Sequence, residues 1–405
     1  MAQRDSLSSS TICLLAVTAI ADDVRVRRQG DAFRDAGWGV VGVGLAGARS
    51  PDPNWPIFTC AREQASWEYR ARRAIALLCA RTWPSVAHIA YWQLPGPIGH
   101  IYAVAAKLGA NVWLANDFAM LPLAARLAHE KGGIYGYDSH ELATEEFSQR
   151  FKWRFLHRPM ISTLEHKFIR DAAVVSTVSN GIASRLDDLY TLRRKPVVVR
   201  NTPHFEACSF RPTAPDRIRV LYHGIVTPGR GLEAAIDSVA AWRREFDLTI
   251  RGPGDGEYLA ALQRRIAERG LADRIILAPP VPMTALVHEA AAYDIGFFAL
   301  PGSSRHNEFA LPNKFFEYIM AGLALCLTDL PEMARLVREY ELGVTFHSVE
   351  PGAIAAAINA LDPASIDHYK RNALAAAREL CWERESERLV RAYEALLDRA
   401  VPQAA

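Results

Sequence analysis

The chain has 405 residues, of which half are hydrophobic, and a formal net charge of +2 at pH 7. This length allows two or three domains with substantial cores, and the composition excludes a largely disordered or fibrous protein. The six cysteines are scattered and form no C-x-x-C pair. Their spacing argues against a disulfide framework and a zinc site, and it favours a reducing, cytoplasmic compartment.

The first apolar run is Ile12–Ala21, with the sequence ICLLAVTAIA. Its length and small-residue end are typical of a short secretion signal. However, the run is too short to span a bilayer, and Asp22 and Asp23 are followed by a helical pattern. We therefore predict a buried first strand that opens a βα unit.

Short apolar runs then alternate with helical patterns, which predicts a doubly wound α/β layer. The first set of predicted strands is Val40–Val43, Val86–Tyr91, Val112–Ala115, Gly133–Tyr137, Val174–Val178 and Val197–Val199. Residues 201–216 contain three prolines and little periodicity, so they are predicted to be a linker. The second set is Ile218–Tyr222, Leu248–Arg251, Ile275–Leu277, Ile295–Phe298, Leu325–Thr328 and Val344–Phe346. The pattern predicts two similar Rossmann-like domains that face a central cleft.

Ligands of open α/β sheets bind beyond the carboxyl ends of the strands, so residues that follow strands are functional candidates. In the first domain, Asp117 follows the strand VWLAN, and His140 and Glu141 follow IYGYDS. A lone histidine is most often structural. One beside two carboxylates at strand ends is also a candidate for proton transfer or substrate binding.

The first 200 residues hold the excess of positive charge, and much of it lies in residues 149–170. There Arg150, Lys152, Arg154 and Arg158 alternate with Phe151, Trp153 and Phe155. Such a mixture suits peripheral contact with anionic lipids. It equally suits a helix whose long cations cover core aromatics. No recognition module accompanies the charge, so we expect no nucleic-acid partner.

In the second domain, glycines follow two predicted strands. Gly252 begins a G-x-G-x-G run after LTIR, and Gly224 and Gly231 flank Arg230 after RVLYH. Glycines allow a phosphate or sugar to approach the backbone, and an arginine can clamp a phosphate with two hydrogen bonds. The alternatives without a binding role are an ordinary strand-to-helix turn for the G-x-G-x-G run and a surface cation for Arg230.

The segment Leu311–Leu323, LPNKFFEYIMAGL, is the most informative in the chain. Pro312 suits the first helical position, and free amides with Lys314 in the first turn favour a diphosphate. Glu317 shares that helix face, where its carboxylate can accept hydrogen bonds from both ribose hydroxyls. The alternative is an amphipathic helix with a solvated Lys–Glu pair.

Several motifs are missing from the sequence. It contains no G-x-x-x-x-G-K-[ST], no G-x-S-x-G and no H-E-x-x-H, which removes support for P-loop, serine hydrolase and zinc protease chemistry. It also has no D-x-D pair to hold a divalent metal on a diphosphate. We therefore expect no metal, with Arg230 and Lys314 neutralising the leaving group.

Together these segments resemble the retaining glycosyltransferases of the GT-B fold, specifically glycosyltransferase family 4. The resemblance is carried, in the family's order, by YHGIVTPGRGLEAAI, LTIRGPGDGEYLAAL, AAYDIGFFAL and LPNKFFEYIMAGLALCLTDLPEM. It implies an acceptor-binding domain over residues 1–210, a nucleotide-sugar domain over 211–380, and a helix over 381–405 that returns to the first domain. The segment YDSHEL resembles the one whose histidine approaches the donor sugar, here His140.

The resemblance also assigns roles in the second domain. It implies that Glu317 holds the ribose and that Arg230 and Lys314 face the diphosphate, with Gly224, Gly231 and Gly252 as donor-binding backbone. The family's paired glutamates stand eight positions apart, but here Phe309 occupies the first position and Glu308 is adjacent. Ile225 replaces the usual basic residue of the phosphate loop. We interpret the site as a variant in which Asn313 and Lys314 compensate.

The sequence therefore predicts a metal-independent transfer of a hexose from a nucleoside diphosphate sugar to a hydroxyl acceptor, with retention at the anomeric carbon. No cofactor is expected beyond the nucleotide sugar itself, and the resemblance implies that the leaving phosphate assists deprotonation of the acceptor. Two alternatives stay open. One is a catalytically silent GT-B scaffold that binds a glycan or partner enzyme, and the other is a GT-B epimerase or phosphorylase.

Overall fold

The computed structural model describes residues 10–61, 67–83, 85–93, 97–302 and 304–400. The chain forms two compact units. Unit 1 comprises Met1–Val199 and Ser386–Ala405, and unit 2 comprises Arg200–Glu385. Each contains one wholly parallel sheet between helices, which is the predicted doubly wound α/β architecture.

Unit 1 contains a seven-stranded parallel sheet in the order β3-β2-β1-β4-β5-β6-β7. Its strands are β1 Thr11–Leu15, β2 Gly39–Leu45, β3 Ile57–Cys60, β4 Val112–Asn116, β5 Ile134–Ser139, β6 Val174–Thr177 and β7 Val197–Val198. Its helices are α1 Val24–Asp35, α2 Trp67–Thr82, α3 Val86–Gln93, α4 Pro97–Ala105, α5 Leu121–Lys131, α6 Arg158–Ile169 and α7 Asn180–Tyr190. The strand order reverses between β1 and β4, so a ligand is expected at their carboxyl ends.

Unit 2 contains a six-stranded parallel sheet in the order β10-β9-β8-β11-β12-β13. Its strands are β8 Ile218–His223, β9 Phe246–Arg251, β10 Ile275–Ala278, β11 Ile295–Phe298, β12 Ala324–Thr328 and β13 Gly343–Phe346. Its helices are α8 Leu232–Ser238, α9 Gly256–Glu268, α10 Leu286–Ala290, α11 Arg305–Glu308, α12 Asn313–Met320, α13 Pro331–Glu339, α14 Pro351–Asn359 and α15 Pro363–Ala376. The switch point lies between β8 and β11, and the segment 201–214 contains no helix or strand.

The last helix, α16 Trp382–Ala400, begins in unit 2 and ends in unit 1. Within unit 2, Glu385 accepts hydrogen bonds from the backbone and side chain of Arg200 at 2.9 and 3.0 Å. Within unit 1, the ring of Tyr393 packs edge-on against Phe33 with 5.4 Å between centroids. A side chain at Gly136 would overlap the Tyr393 hydroxyl, so this glycine makes room for the helix.

Three sequence predictions about elements need correction. The run Val86–Tyr91 was predicted to be a strand, but it forms helix α3, which packs with α2 and α6 around buried Leu77, Ala87 and Leu164. Strand β3 was not predicted. It has only four residues, lies at the edge of the sheet and exposes its two middle residues. Pro312 is the extended residue before α12 rather than its first helical residue.

The run GVGLAG, residues 42–47, begins in strand β2 and ends two residues beyond it, and its glycine spacing is typical of dinucleotide-binding turns. Here the glycines serve packing instead. A side chain at Gly42 would collide with Trp55, and one at Gly44 would collide with the backbone of Thr18. Because both positions lie within the strand and not in a turn that opens a helix, the run carries no phosphate-binding loop.

Candidate functional site

The carboxyl edge of the unit 2 sheet brings two glycine loops into direct contact. Gly224 follows β8 with a φ of +121°, and Gly252 follows β9 with a φ of +151°. A side chain at Gly252 would overlap the carbonyl oxygen of Gly224. Only glycine fits this combination of left-handed backbone and close approach at Gly252, and the half-buried Gly224 leaves backbone without a side chain at this edge of the sheet.

The loop after β8 ends at Gly231, which has a φ of +71° just before α8. A side chain there would overlap the carbonyl oxygen of Ala299, directly after β11. Gly231 thus holds the loop against the switch point of the sheet. Arg230 precedes it and is only partly exposed.

Lys314 lies in the first turn of α12, and its Nζ atom points under the loop after β8. The Nζ atom is 3.8 Å from the ring centroid of Tyr222 and 4.3 Å from that of Phe298. It would also lie 2.8 Å from a Cβ atom at Gly224, so a larger residue there would displace it. The aromatic rings and the glycine together define the position of this cation.

Burial lowers the pKa of Lys314 well below its usual range, and the positive charge of Arg230 lowers it further, while Glu317 opposes the shift. Among the described residues, no carboxylate forms an ion pair with either Lys314 or Arg230. Two neighbouring cations without a counter-ion are electrostatically unfavourable, and an anion placed between them would relieve the repulsion. This pair and the glycine loops make the carboxyl edge of the unit 2 sheet a candidate anion site.

Glu317 lies one turn after Lys314 and is held by a residue that the sequence reasoning missed. The Nε2 atom of His223 is 2.7 Å from Oε2 of Glu317. His223 is the last residue of β8 and is 2% exposed. The rule that ligands bind after the ends of strands would have identified His223, because it immediately precedes Gly224.

The two other predicted donor residues, Glu308 and Asn313, do not contact the cations or the glycine loops through any interaction that the structure describes. Glu308 ends α11, a single turn whose Ser304 Oγ accepts a hydrogen bond from the Asn307 backbone at 3.2 Å. Within the described part of the chain its carboxylate forms no ion pair with the cations of α12 or the phosphate loop. Asn313 is the exposed first residue of α12. Neither contact pattern assigns these two residues a role.

An open cavity of about 540 Å³ lies next to the glycine loops of unit 2. Its lining is mostly apolar and includes Val226, Pro253, Leu259, Leu277 and Pro279. A pocket of this size with apolar walls and nearby backbone polar groups suits a planar heterocycle. It therefore extends the anion site with a place for a base.

In unit 1, the carboxyl edge of the sheet is organised around the fully buried Asp138 at the end of β5. Its oxygens accept hydrogen bonds from Arg25 at 2.7 and 2.8 Å, from Gln29 at 2.6 Å and from Ser176 at 2.6 Å. Burial alone would raise the pKa of Asp138, but Arg25 and His140 outweigh it and lower the pKa strongly. Asp138 is thus an ionised anchor for the neighbouring histidine.

His140 sits between two carboxylates. Its Nε2 atom is 2.8 Å from Asp138, and its Nδ1 atom is 3.4 Å from the more exposed Asp117. Burial lowers the pKa of His140, but the two carboxylates more than compensate, so the net pKa is raised. Burial and Asp138 raise the pKa of Asp117, although His140 lowers it. Asp117 also has an unusual backbone with φ 68° and ψ 161°, a region that strains residues other than glycine.

The predicted residue Glu141 lies near this group and interacts with Glu146. Burial and then the charges of Glu141 and Asp117 raise the pKa of Glu146 to about 7. Asp117, His140 and Glu141 therefore lie near one another at the carboxyl edge of the unit 1 sheet. Within the described residues, no group of three or more His, Cys, Asp and Glu side chains is placed to hold a metal ion.

Residues 217–362 match the family described as Glycosyl transferases group 1. No curated protein resembles the chain closely enough to count as a relative by sequence. The fold is similar to that of sucrose-phosphate synthase from Thermosynechococcus elongatus, with a TM-score of 0.73 and 16% identity over 96% of this chain and 100% of the other.

Two further structures share the fold. Anabaena HepE in complex with UDP and glucose has a TM-score of 0.65 and 14% identity, over 96% of this chain and 99% of that one. A glycosyltransferase from Rickettsia africae has a TM-score of 0.68 and 12% identity, with coverage of 96% and 99%. Residues 217–362 are therefore a group 1 glycosyltransferase domain, within a chain that has the two-domain α/β GT-B fold.

Proposed function

We propose that this protein is a retaining, metal-independent glycosyltransferase that moves a hexose from a nucleoside diphosphate sugar to a hydroxyl acceptor. The observation that carries the proposal is the pair of neighbouring cations, Lys314 and Arg230, which form no ion pair with a carboxylate among the described residues, with Lys314 beside the backbone of Gly224. A diphosphate supplies the missing negative charge, and glycine loops let it approach.

Each part of the donor has a matching group in unit 2. The diphosphate binds between Lys314 and Arg230, the ribose hydroxyls donate hydrogen bonds to Glu317, and the base enters the cavity of about 540 Å³. HepE, which shares the fold, was solved with UDP and with UDP-glucose. We therefore infer a UDP-sugar as the donor.

The two cations also account for the chemistry. When the bond between the anomeric carbon and the leaving oxygen breaks, that oxygen gains negative charge, which Lys314 and Arg230 stabilise. The acceptor oxygen bonds to the anomeric carbon on the same face, and its proton passes to the leaving phosphate. Because the protein's own cations neutralise the leaving group, the reaction proceeds without a divalent metal. Unit 1, with His140, Asp117 and Glu141, is the proposed acceptor-binding side.

The donor assignment is tested by thermal unfolding with UDP, GDP, ADP and their sugars. A ligand at a hundred times its dissociation constant adds about 2.7 kcal/mol to stability. With the stabilising donor at saturation, Arg230→Ala and Lys314→Ala are each expected to reduce kcat by about 10²–10³-fold. Arg244→Ala, at an exposed arginine of unit 2, is the matched control. Binding of no nucleotide, or full kcat in both variants, would favour the silent scaffold.

We further propose that unit 1 contacts an anionic membrane from the cytoplasmic side, through residues 149–170 and the adjoining helix α2. Among the residues that the structure describes, eight of the thirteen exposed large hydrophobic side chains lie in or near these two segments: Trp67, Ile75, Leu78, Trp83, Ile89, Phe147, Phe151 and Phe155. Arg81 stacks on the Phe155 ring at 3.6 Å, which joins α2 to the basic segment. Aromatic and basic groups on one surface suit a lipid interface.

The membrane contact is tested by flotation with vesicles that contain phosphatidylserine or only phosphatidylcholine. We expect binding to the anionic vesicles alone, and we expect Trp67→Ser with Phe151→Ser to weaken it by about tenfold or more. Met283→Ser changes an equally exposed residue of unit 2 and serves as control. Equal binding of both variants would refute the contact. No helix in the described ranges is both long and apolar enough to cross a bilayer.

A further inference from the structure

His223 is a buried side chain in unit 2 to which the proposed reaction assigns no task. It ends β8, immediately before the glycine that lies over Lys314. Its Nε2 atom is 2.7 Å from Oε2 of Glu317, and it is 2% exposed. The approach is a close contact and not an aligned hydrogen bond, because neither ring nitrogen has a hydrogen-bond partner among the described residues. A buried polar ring in this state costs free energy, so its position beside the carboxylate needs an explanation.

The ring of His223 is fixed by Tyr318 on α12. The two ring centroids are 4.7 Å apart with the ring planes tilted by 33°, and the Tyr318 hydroxyl accepts a hydrogen bond from the His223 backbone at 3.0 Å. The same hydroxyl donates to the Phe297 carbonyl at 3.2 Å. A side chain at Gly296 would overlap Tyr318, so β11 is shaped to receive this ring. The imidazole therefore has one fixed place.

This fixed ring determines where the Glu317 carboxylate can go. Glu317 lies three residues after Lys314, a spacing at which the two side chains can form an ion pair on the helix surface. Such a pair would neutralise the lysine and withdraw the carboxylate from the ribose. With Oε2 next to His223, the other oxygen meets no donor within the described residues. It stays available to an incoming hydroxyl.

We propose that His223 is a positioning residue for the Glu317 carboxylate. It holds the carboxylate where it can accept hydrogen bonds from both ribose hydroxyls, and it keeps the carboxylate from pairing with Lys314. The inference rests on the proposed function, because it assumes that Glu317 binds the ribose. Its consequence is selectivity: the site prefers a ribonucleotide to a deoxyribonucleotide, and that preference depends on His223.

The test measures the affinities for UDP and for 2′-deoxy-UDP by calorimetry. Wild type should bind UDP about tenfold or more tightly than 2′-deoxy-UDP, because the deoxynucleotide lacks one hydrogen bond to a charged group. His223→Phe keeps an aromatic ring against Tyr318 but loses Nε2. We expect the preference for UDP over 2′-deoxy-UDP to fall to about twofold. His223→Gln, whose amide reaches Glu317, should restore most of it. A merely structural role of His223 would weaken both nucleotides equally.

A second pair of variants keeps the test decisive if His223→Phe does not fold. Gln and Asn carry the same amide, but the shorter Asn falls short of Glu317, so only His223→Gln should retain the preference. If His223→Phe, or His223→Asn in its place, still prefers UDP as wild type does, the inference is wrong. Failure of the proposed function looks different. In that case wild type does not bind UDP, or Glu317→Ala binds UDP as tightly as wild type.

Discussion

Replacing Lys314 with methionine should stabilise unit 2 and at the same time weaken nucleotide binding. Methionine has similar length and is apolar, so Lys314→Met removes a half-buried charge that forms no ion pair in the described part of the chain and that Arg230 repels. The loss of contacts with the rings of Tyr222 and Phe298 costs about 0.5–2 kcal/mol. Removing the desolvation of an unpaired ion gains several kcal/mol. We expect a net gain in unfolding free energy of about 1 kcal/mol.

Binding should change in the opposite direction. A charge-assisted hydrogen bond to the diphosphate contributes about 1.5–3 kcal/mol, so the affinity for UDP should fall by about 10- to 100-fold. Thermal unfolding with and without UDP measures both effects. For a unit of this size, 1 kcal/mol raises Tm by about 2–4 °C. The gain should appear only without UDP.

Unit 2 contains a matched control in Lys370, a buried lysine that does have a counter-ion. Its Nζ atom is 3.0 Å from Asp294, and both side chains are 3% exposed. Lys370→Met leaves a buried carboxylate with less compensation and should destabilise unit 2 by about 2 kcal/mol or more. If Lys314→Met lowers Tm as Lys370→Met does, Lys314 is not an uncompensated cation and the anion site has been misjudged.

Three further outcomes are expected. Asp117→Gly should unfold at higher urea than Asp117→Ala, by about 1 kcal/mol, because only glycine relaxes the backbone at φ 68°; equal midpoints would contradict the strain. Asp138→Asn should lose about 3–5 kcal/mol at pH 7, since Arg25 is left buried without its anion. Because the folded-state pKa of Asp138 is lowered, its contribution is present above its unfolded pKa of about 3.9 and is lost as the pH falls further. In urea titrations the advantage of wild type over Asp138→Asn should therefore be about 1 kcal/mol smaller at pH 3 than at pH 7, and a constant difference would contradict this. Transfer activity should survive EDTA, and loss with rescue by magnesium or manganese would refute metal independence.

Much of the fold could be predicted from the sequence because parallel strands buried on both faces appear as short apolar runs between helices. The central strands β1, β4 and β8 are such runs, and all three lie in the sheets as expected. The run Val86–Tyr91 has the same composition, but it is buried by other helices instead of by neighbouring strands. Apolar composition alone does not distinguish these two surroundings.

The candidate site was predictable only where a residue type implies its own chemistry. Glycine, lysine and glutamate at strand and helix ends indicated Gly224, Lys314 and Glu317. The pairing of such groups with the residues beside them could not be predicted, because the partners are far apart in sequence. Arg25 lies 113 residues from Asp138, and His223 lies 94 residues from Glu317 (317 − 223). Their roles follow from the three-dimensional fold alone.

The path of helix α16 between the units fixes the order in which they can be completed during translation. Unit 2 is one uninterrupted stretch, Arg200–Glu385, whereas the core of unit 1 includes Tyr393, packed on Phe33 and Gly136. On the ribosome, every residue of unit 2 is therefore made before unit 1 receives its last core side chain. Synthesis of unit 1 begins before that of unit 2, but its core is completed after unit 2 has been made. Until Tyr393 packs beside Gly136, the nascent chain has an open gap next to β5.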